Sequence, residues 1–405
     1  MKRIVILCDG TWNRFDSRTP TNVVRLAQLL SPSDPEGVTQ IPVYINGVGT
    51  GEGVTRVSRV ADRFLGGALG WGLLENVVDA YRQLVFLYEP GDEIFIFGFS
   101  RGAYTARSLS GFIRSTGIID RDGLNLVPRA VRRYRMKGRD NLAPGSDDSH
   151  EFRAQTMRSC VATSRNERDW RRRNGAPDVP LLRVSYLGVW DSVGALGVPR
   201  EIPILGTWTA RKYGFHDTHL SRMVASARHA VALDETRRAF EPTCWTNIAD
   251  LNAAAGAAKT CPYQELYFAG DHGSIGGGGN ITALSSIALG WIIEGAQAAG
   301  LAFDTSRLEA LRKEEDPYGS LRSSSIPPTG LLDWITRFRP RARIGPDSRD
   351  AVHSSVIKRF CGHASLDTLE PYRPRSLSNI EETLGGLCVC DDPDDGTLPD
   401  PRSAE

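Results

Sequence analysis

The sequence has no excess of charge of either sign. Its 49 basic and 48 acidic residues leave a formal net charge of +1 over 405 residues. That balance removes the usual signature of a nucleic-acid binder, which concentrates Lys and Arg, and nothing global demands an acidic partner. Long apolar runs are also missing, and no stretch approaches the length of a membrane span. The start, Met1-Lys2-Arg3 followed by Ile4-Val5-Ile6-Leu7, has the charge of a signal peptide. Its apolar run is too short for one and leads into Cys8-Asp9-Gly10, so a buried first strand and a cytoplasmic chain are the expectation. Cysteine is sparse: Cys8, Cys160, Cys244, Cys261, Cys361, Cys388 and Cys390 are an odd, scattered set. They read as no disulfide framework, in a reducing compartment. Cys388-Val389-Cys390 has no further ligands near it for zinc. There is no internal repeat.

What is present is an ordinary globular composition, 40% hydrophobic and 24% charged, in a chain long enough for one large core or two ordinary ones. Strand-like runs alternate with helix-like ones. Residues 4–7, 42–45, 93–97, 184–189 and 266–269 read as strands. Residues 22–30, 73–88 and 284–299 carry apolar residues at helical spacing, and 230–235 also reads as helical. Such alternation predicts an α/β fold, a mostly parallel sheet flanked by helices. Residues 129–180, polar and very basic, and 200–226 read as insertions or a cap over the sheet's active edge. The acidic, proline-bearing residues 394–405 read as a disordered tail.

The most informative segment is Phe97-Gly98-Phe99-Ser100-Arg101-Gly102-Ala103. It contains G-x-S-x-G between an apolar strand-like run and a helix-like one. That context makes a nucleophile elbow, in which the serine is strained and small neighbours let strand and helix close up. A serine nucleophile needs a base, and an acid to orient that base, in the chain order serine, acid, histidine. In a parallel sheet both belong at the C-terminal ends of later strands. Asp191 ends the run Val184-Ser185-Tyr186-Leu187-Gly188-Val189-Trp190, with Asp234 as the second candidate. His272 follows Tyr267-Phe268-Ala269-Gly270-Asp271 and stands on a glycine-rich loop. The other histidines read differently: His150, His216, His219 and His229 in insertions or on helical stretches, His353 and His363 in the C-terminal region.

An oxyanion needs preorganised N–H donors. One is assigned to the backbone of Arg101, which follows the nucleophile at a helix N-terminus. The second is assigned to Gly10 or Thr11, in the turn after the first strand. Asp9-Gly10-Thr11 also invites comparison with phosphatases that carry D-x-D-G-T there, but the nucleophile position in that frame is Leu7. Gly47-Val48-Gly49-Thr50-Gly51 has no following Lys-Ser/Thr and is not a P-loop. The runs Arg132-Arg133-Tyr134-Arg135 and Arg171-Arg172-Arg173 read as solvated faces, or as contacts for an anionic headgroup where they line a cleft.

These residues resemble a family: the α/β-hydrolases typified by the phospholipase effectors of type VI secretion systems. The matching stretches are Cys8-Asp9-Gly10-Thr11-Trp12-Asn13, the Gly47–Gly51 run, and Gly91 through Arg107 around the elbow. Gly188-Val189-Trp190-Asp191-Ser192-Val193-Gly194, the segment 228–235, His272 with its glycines, and the helix that follows complete the set, over roughly residues 1 to 302. The resemblance implies a Ser-Asp-His esterase or lipase, with Ser100, Asp191 and His272 in those roles, acting on acyl esters of phospholipids. One departure is Ser274, where the family usually has an acid two positions after the histidine.

The expectation is therefore a catalytic domain over residues 1–302, a C-terminal extension over 303–393 packed on it, and the tail. No cofactor or metal is required. The expected partner is a small-molecule or lipid ester, with peripheral contact with membrane lipids and export by a dedicated secretion system in keeping with the resemblance. Two rivals are a catalytically silent hydrolase-fold binding protein and a metal-dependent phosphodiesterase. The second is disfavoured because Asp and His do not cluster at ligand spacing.

Overall fold

The computed structural model describes residues 1–10, 13–47, 66–136, 142–194, 218–237, 240–256, 261–321, 341–362 and 371–388. The Gly47–Gly51 run beyond its first residue, Thr11, residues 200–217 and the 394–405 tail lie outside them.

Among the described residues six strands form one sheet: β1 (Arg3–Cys8), β2 (Gln40–Ile45), β3 (Glu93–Phe99), β4 (Val184–Trp190), β5 (Ala227–Ala232) and β6 (Tyr263–Phe268). Their order is β2-β1-β3-β4-β5-β6. Every ladder is parallel. The expected α/β architecture is present. Central parallel strands are covered on both faces, so they read as apolar runs without alternation. In β1, Ile4, Ile6 and Cys8 enter one core while Val5 and Leu7 enter the other. In β3, Ile94 and Ile96 face the first core, and Phe95, Phe97 and Phe99 the second. Each such side chain contributes about 1.5–3 kcal/mol through burial.

The first face is covered by α2 (Gly66–Leu87) and α3 (Arg101–Thr116), through Leu84, Val85, Ala106, Leu109 and Ile113. The second is covered by α1 (Asn22–Leu29) and the almost wholly apolar α9 (Ala283–Ala298). The basic segment also belongs to the first face. It forms α4 (Val127–Arg135), the short α5 (Asp147–Glu151) and α6 (Arg165–Arg173). Tyr134 donates to the Ser108 carbonyl and Arg153 to that of Arg114, so the segment leans on the C-terminal half of α3, away from Ser100. Its arginines are not all solvated: Arg153 and Arg171 are buried against the Glu167 carboxylate at 2.7 and 3.1 Å.

Two expectations need correction. Residues 230–235 are not helical, since Ala230 to Ala232 finish β5, buried between β4 and β6. The cysteines are not all unpaired: Cys361 and Cys388 form a disulfide between α11 (Ser354–Cys361) and α12 (Glu381–Cys388). With that bond the inference of a reducing compartment loses its basis.

Beyond α10 (Thr305–Glu314), the C-terminal residues build a third core. Val352, Val356, Phe360, Tyr372, Leu377, Ile380 and Leu384 pack there with Leu233 and Ala269 from the ends of β5 and β6. The His353 N–H donates to the Tyr267 carbonyl at 3.0 Å, fixing the segment to the edge strand. Among the described residues no helix is long and apolar enough to cross a membrane.

Candidate active site

The sheet order reverses between β1 and β3, and the crevice at such a reversal is where open parallel sheets place ligands. Ser100 sits at this point. Its backbone has φ 59° and ψ −123°, a conformation that L-residues rarely adopt. Neighbouring glycines permit it. A Cβ on Gly98 would lie 2.4 Å from the Gly102 carbonyl oxygen, and one on Gly102 would lie 2.2 Å from that of Cys8. Strand, turn and helix are therefore in backbone contact, as the elbow motif requires. The Ser100 N–H donates to the Trp190 carbonyl at 3.0 Å, tying the turn to the end of β4.

Asp191 follows β4 directly, in the left-handed region at φ 39°. Past α7 (Ile248–Ala254), His272 opens the five-residue helix α8 (His272–Gly276), rather than standing on an open loop. Asp271 caps that helix by accepting from the Ser274 N–H at 2.8 Å, so it does not orient the imidazole. Ser274, at the departure position, has its hydroxyl 2.9 Å from Asp271 Oδ1 and 2.8 Å from the Leu321 carbonyl oxygen, two acceptors for its single proton.

The three side chains meet. His272 Nε2 lies 2.8 Å from Ser100 Oγ, and His272 Nδ1 lies 2.5 Å from Asp191 Oδ2. With Nδ1–H donated to the carboxylate, Nε2 keeps a lone pair for the serine hydroxyl. All three are buried, and Phe99 and Phe240 flank the imidazole with ring centroids at 4.7 Å each. Burial pushes the Asp191 carboxyl up. The Arg343 guanidinium and the hydrogen bonds from His272 and Arg343 outweigh it and hold the group well below the usual carboxylate range.

The proposed oxyanion donors fare unequally. Arg101 is the first residue of α3, where backbone N–H groups have no acceptor within the helix. Gly10 lies beside the nucleophile: a Cβ there would fall 3.3 Å from Ser100 Cβ. Its N–H, however, donates to Asp9 Oδ1 at 2.7 Å. The Asp9 carboxylate also accepts from Tyr44 at 2.7 Å and Thr21 at 2.9 Å. Burial pushes its carboxyl up against these bonds.

The roles of the residues around these three side chains were not legible in the sequence. His229 is on β5, not in an insertion or helix. Its Nε2 accepts from the Ser192 N–H at 3.0 Å, and its Nδ1 lies 2.7 Å from Glu265, which props the turn holding Asp191. Asp234, the second candidate acid, instead accepts from the Gly270 N–H and the Tyr372 hydroxyl. Arg343, from the C-terminal extension, reaches both oxygens of Asp191 at 2.6 and 2.8 Å. Among the described residues no group of His, Cys, Asp and Glu is placed to hold a metal ion.

A six-stranded parallel sheet covered by helices on both faces is an α/β fold, and Ser100, Asp191 and His272 meet at the C-terminal ends of its strands. The family follows from the chain as a whole. Residues 2–295 match the family described as "T6SS, Phospholipase effector Tle1-like, catalytic domain", and the chain belongs to it. An uncharacterised protein of Saccharomyces cerevisiae, YEL023C, is 28% identical over 253 residues, covering 60% of this chain and 33% of that protein. The chain thus spans about a third of that relative's length. An uncharacterised protein from Pseudomonas aeruginosa has a TM-score of 0.41 at 15% identity, over 78% of this chain and 49% of that one. A Tle1 effector solved bound to the VgrG spike of the type VI secretion system has a TM-score of 0.35 at 18% identity, over 68% and 51%.

Proposed function

We propose that the protein is a serine hydrolase of lipid acyl esters, working through an acyl-enzyme on Ser100. Membership in a phospholipase effector family supports lipid-ester hydrolysis in general. The observation that carries the finer reading is the hydrogen-bonded chain Ser100–His272–Asp191 behind a strained serine. In this reading His272 Nε2 takes the hydroxyl proton as Ser100 Oγ attacks the ester carbonyl. The tetrahedral oxyanion is held by the Arg101 N–H. Gly10, beside the nucleophile, already gives its N–H to Asp9, and Thr11 lies outside the described residues. As the intermediate collapses, the ester C–O bond breaks and His272 hands its proton to the departing alcohol. Water, deprotonated by His272, then attacks the acyl-enzyme, releases the fatty acid and returns the proton to Ser100. Asp191 holds the tautomer and stabilises the imidazolium that forms twice in the cycle.

The test is hydrolysis of a panel of short-chain esters, diacylglycerols and diacyl phospholipids by wild type and Ser100→Ala. Release of fatty acid by wild type, reduced by several orders of magnitude in the variant, is the expected result. Equal turnover by both proteins, or none across the panel, would overturn the proposal.

A further inference from the structure

We propose that Arg343 is a positioning residue of the catalytic acid, so that the site is completed by a part of the chain well beyond the family-matched residues 2–295. This rests on the serine-hydrolase reading of the site. The contact is a guanidinium fork on a carboxylate, the geometry in which Arg fixes an orientation as well as a charge. Nη1 donates to Asp191 Oδ1 at 2.6 Å and Nη2 to Oδ2 at 2.8 Å. Oδ1 also accepts from the Ala232 N–H at 3.0 Å, and Oδ2 faces His272 Nδ1 at 2.5 Å. Four donors therefore surround the carboxylate and leave it one orientation, with Oδ2 aimed at the imidazole.

The arginine is itself held. Nη1 also donates to the Ala232 carbonyl at 2.8 Å and Nη2 to the Phe240 carbonyl, while the Arg341 N–H donates to the Thr236 carbonyl. Both partners are buried, Asp191 at 0% and Arg343 at 9% exposure, so solvent does little to screen them.

In the triad mechanism the aspartate acts on the histidine alone. Here its charge is shared with a cation on the far side, with two consequences. Asp191 stays ionised in an apolar setting that would otherwise protonate it. Its pull on the imidazolium is also tempered, because part of its field is spent on Arg343. Loss of Arg343 reverses both: a carboxyl that takes up a proton more readily, and an unshared charge on the histidine while it remains ionised. Both move the acid limb of the rate profile to higher pH. The other groups facing this pair stay in place. They are Glu235, which accepts from the His272 N–H at 3.3 Å and is neutralised by Arg237, Cys244 near Asp191, and Tyr267 near Arg343.

The experiment measures kcat and KM for a p-nitrophenyl ester from about pH 5 to 9 with full-length wild type, Arg343→Met, Arg343→Lys, Asp191→Asn and the Asp191→Asn/Arg343→Met double variant. Arg343→Met should lower kcat by about tenfold or more with KM little changed, and shift the acid-side midpoint upward by about half a pH unit or more. Arg343→Lys, which keeps the charge but not the fork, should fall between. In the Asp191→Asn background, loss of Arg343 should cost less than about threefold, because its route of action is already gone. An unmoved midpoint in Arg343→Met, or an equal cost in both backgrounds, would overturn the proposal. Should Arg343→Met not fold, Arg343→Gln, which is polar but also uncharged, takes its place, and its midpoint decides in the same way. Ser100→Ala in the same assay separates the two levels. If it retains wild-type turnover, the hydrolase reading fails. If it is inactive while the Arg343 midpoint stays put, only the role of Arg343 fails.

Discussion

At the scale of single residues, the grouping of the candidate triad was legible wherever chemistry and chain order agree. Ser100 announced itself because G-x-S-x-G stands between a strand and a helix. Asp191 and His272 followed because each ends a strand-like run, in the order a hydrolase of this type requires. Arg343 gave no signal: it lies 152 residues from Asp191 in sequence, amid other arginines, and only the fold brings it to the carboxylate. Gly10 shows the opposite limit: it lies beside Ser100, but its N–H is already used by Asp9. The strained serine yields a residue-scale prediction. Gly98→Ala puts a methyl group 2.4 Å from a backbone oxygen that cannot swing away. It should cost about 1–3 kcal/mol of stability in a denaturant titration, as overpacking does, and should lower kcat because Ser100 is displaced. A variant as stable and active as wild type would show that strand and helix do not need this closeness.

At the scale of elements, the sheet was legible and one strand was not. Runs such as Ile94-Phe95-Ile96-Phe97 are too short and too β-branched or aromatic to be helices. Ala230-Val231-Ala232-Leu233-Asp234-Glu235 misleads because Ala, Leu and Glu favour helix, while its burial between two neighbouring strands decides otherwise. The disulfide was equally hidden, since seven scattered cysteines carry no pairing information until α11 and α12 lie side by side. Closing a loop with a sequence separation of 27 is worth about 3–4 kcal/mol in the chain-entropy account. Cys361→Ser should lower the melting temperature of oxidised protein, and reductant should then have no further effect. An unchanged melt would mean that the bond adds nothing to the fold.

At the scale of the whole molecule, the C-terminal residues are joined to the six-stranded sheet by more than contact. They share a core with Leu233 and Ala269, send Arg343 to Asp191, and dock His353 on β6. His353 stacks on Phe268 with centroids 4.5 Å apart and caps α11 through Ser355. Burial, then the charges of Arg228 and Lys358, push its imidazole down to about 4. In the unfolded chain a histidine titrates near 6.5. Between these values the unfolded chain binds a proton that the folded one refuses, so stability falls as pH drops through the window and no further below it. His353→Gln should flatten that slope relative to wild type when denaturant midpoints at about pH 7 and pH 5 are compared. An identical slope would remove His353 as the cause.

The account as a whole rests on Ser100 being the nucleophile. The most direct measurement is reaction of the full-length protein with a fluorophosphonate, followed by intact mass and peptide mapping. The account predicts one adduct, on Ser100, with loss of esterase activity in proportion to labelling and no adduct in Ser100→Ala. An adduct on another residue, or equal labelling of the variant, would contradict it.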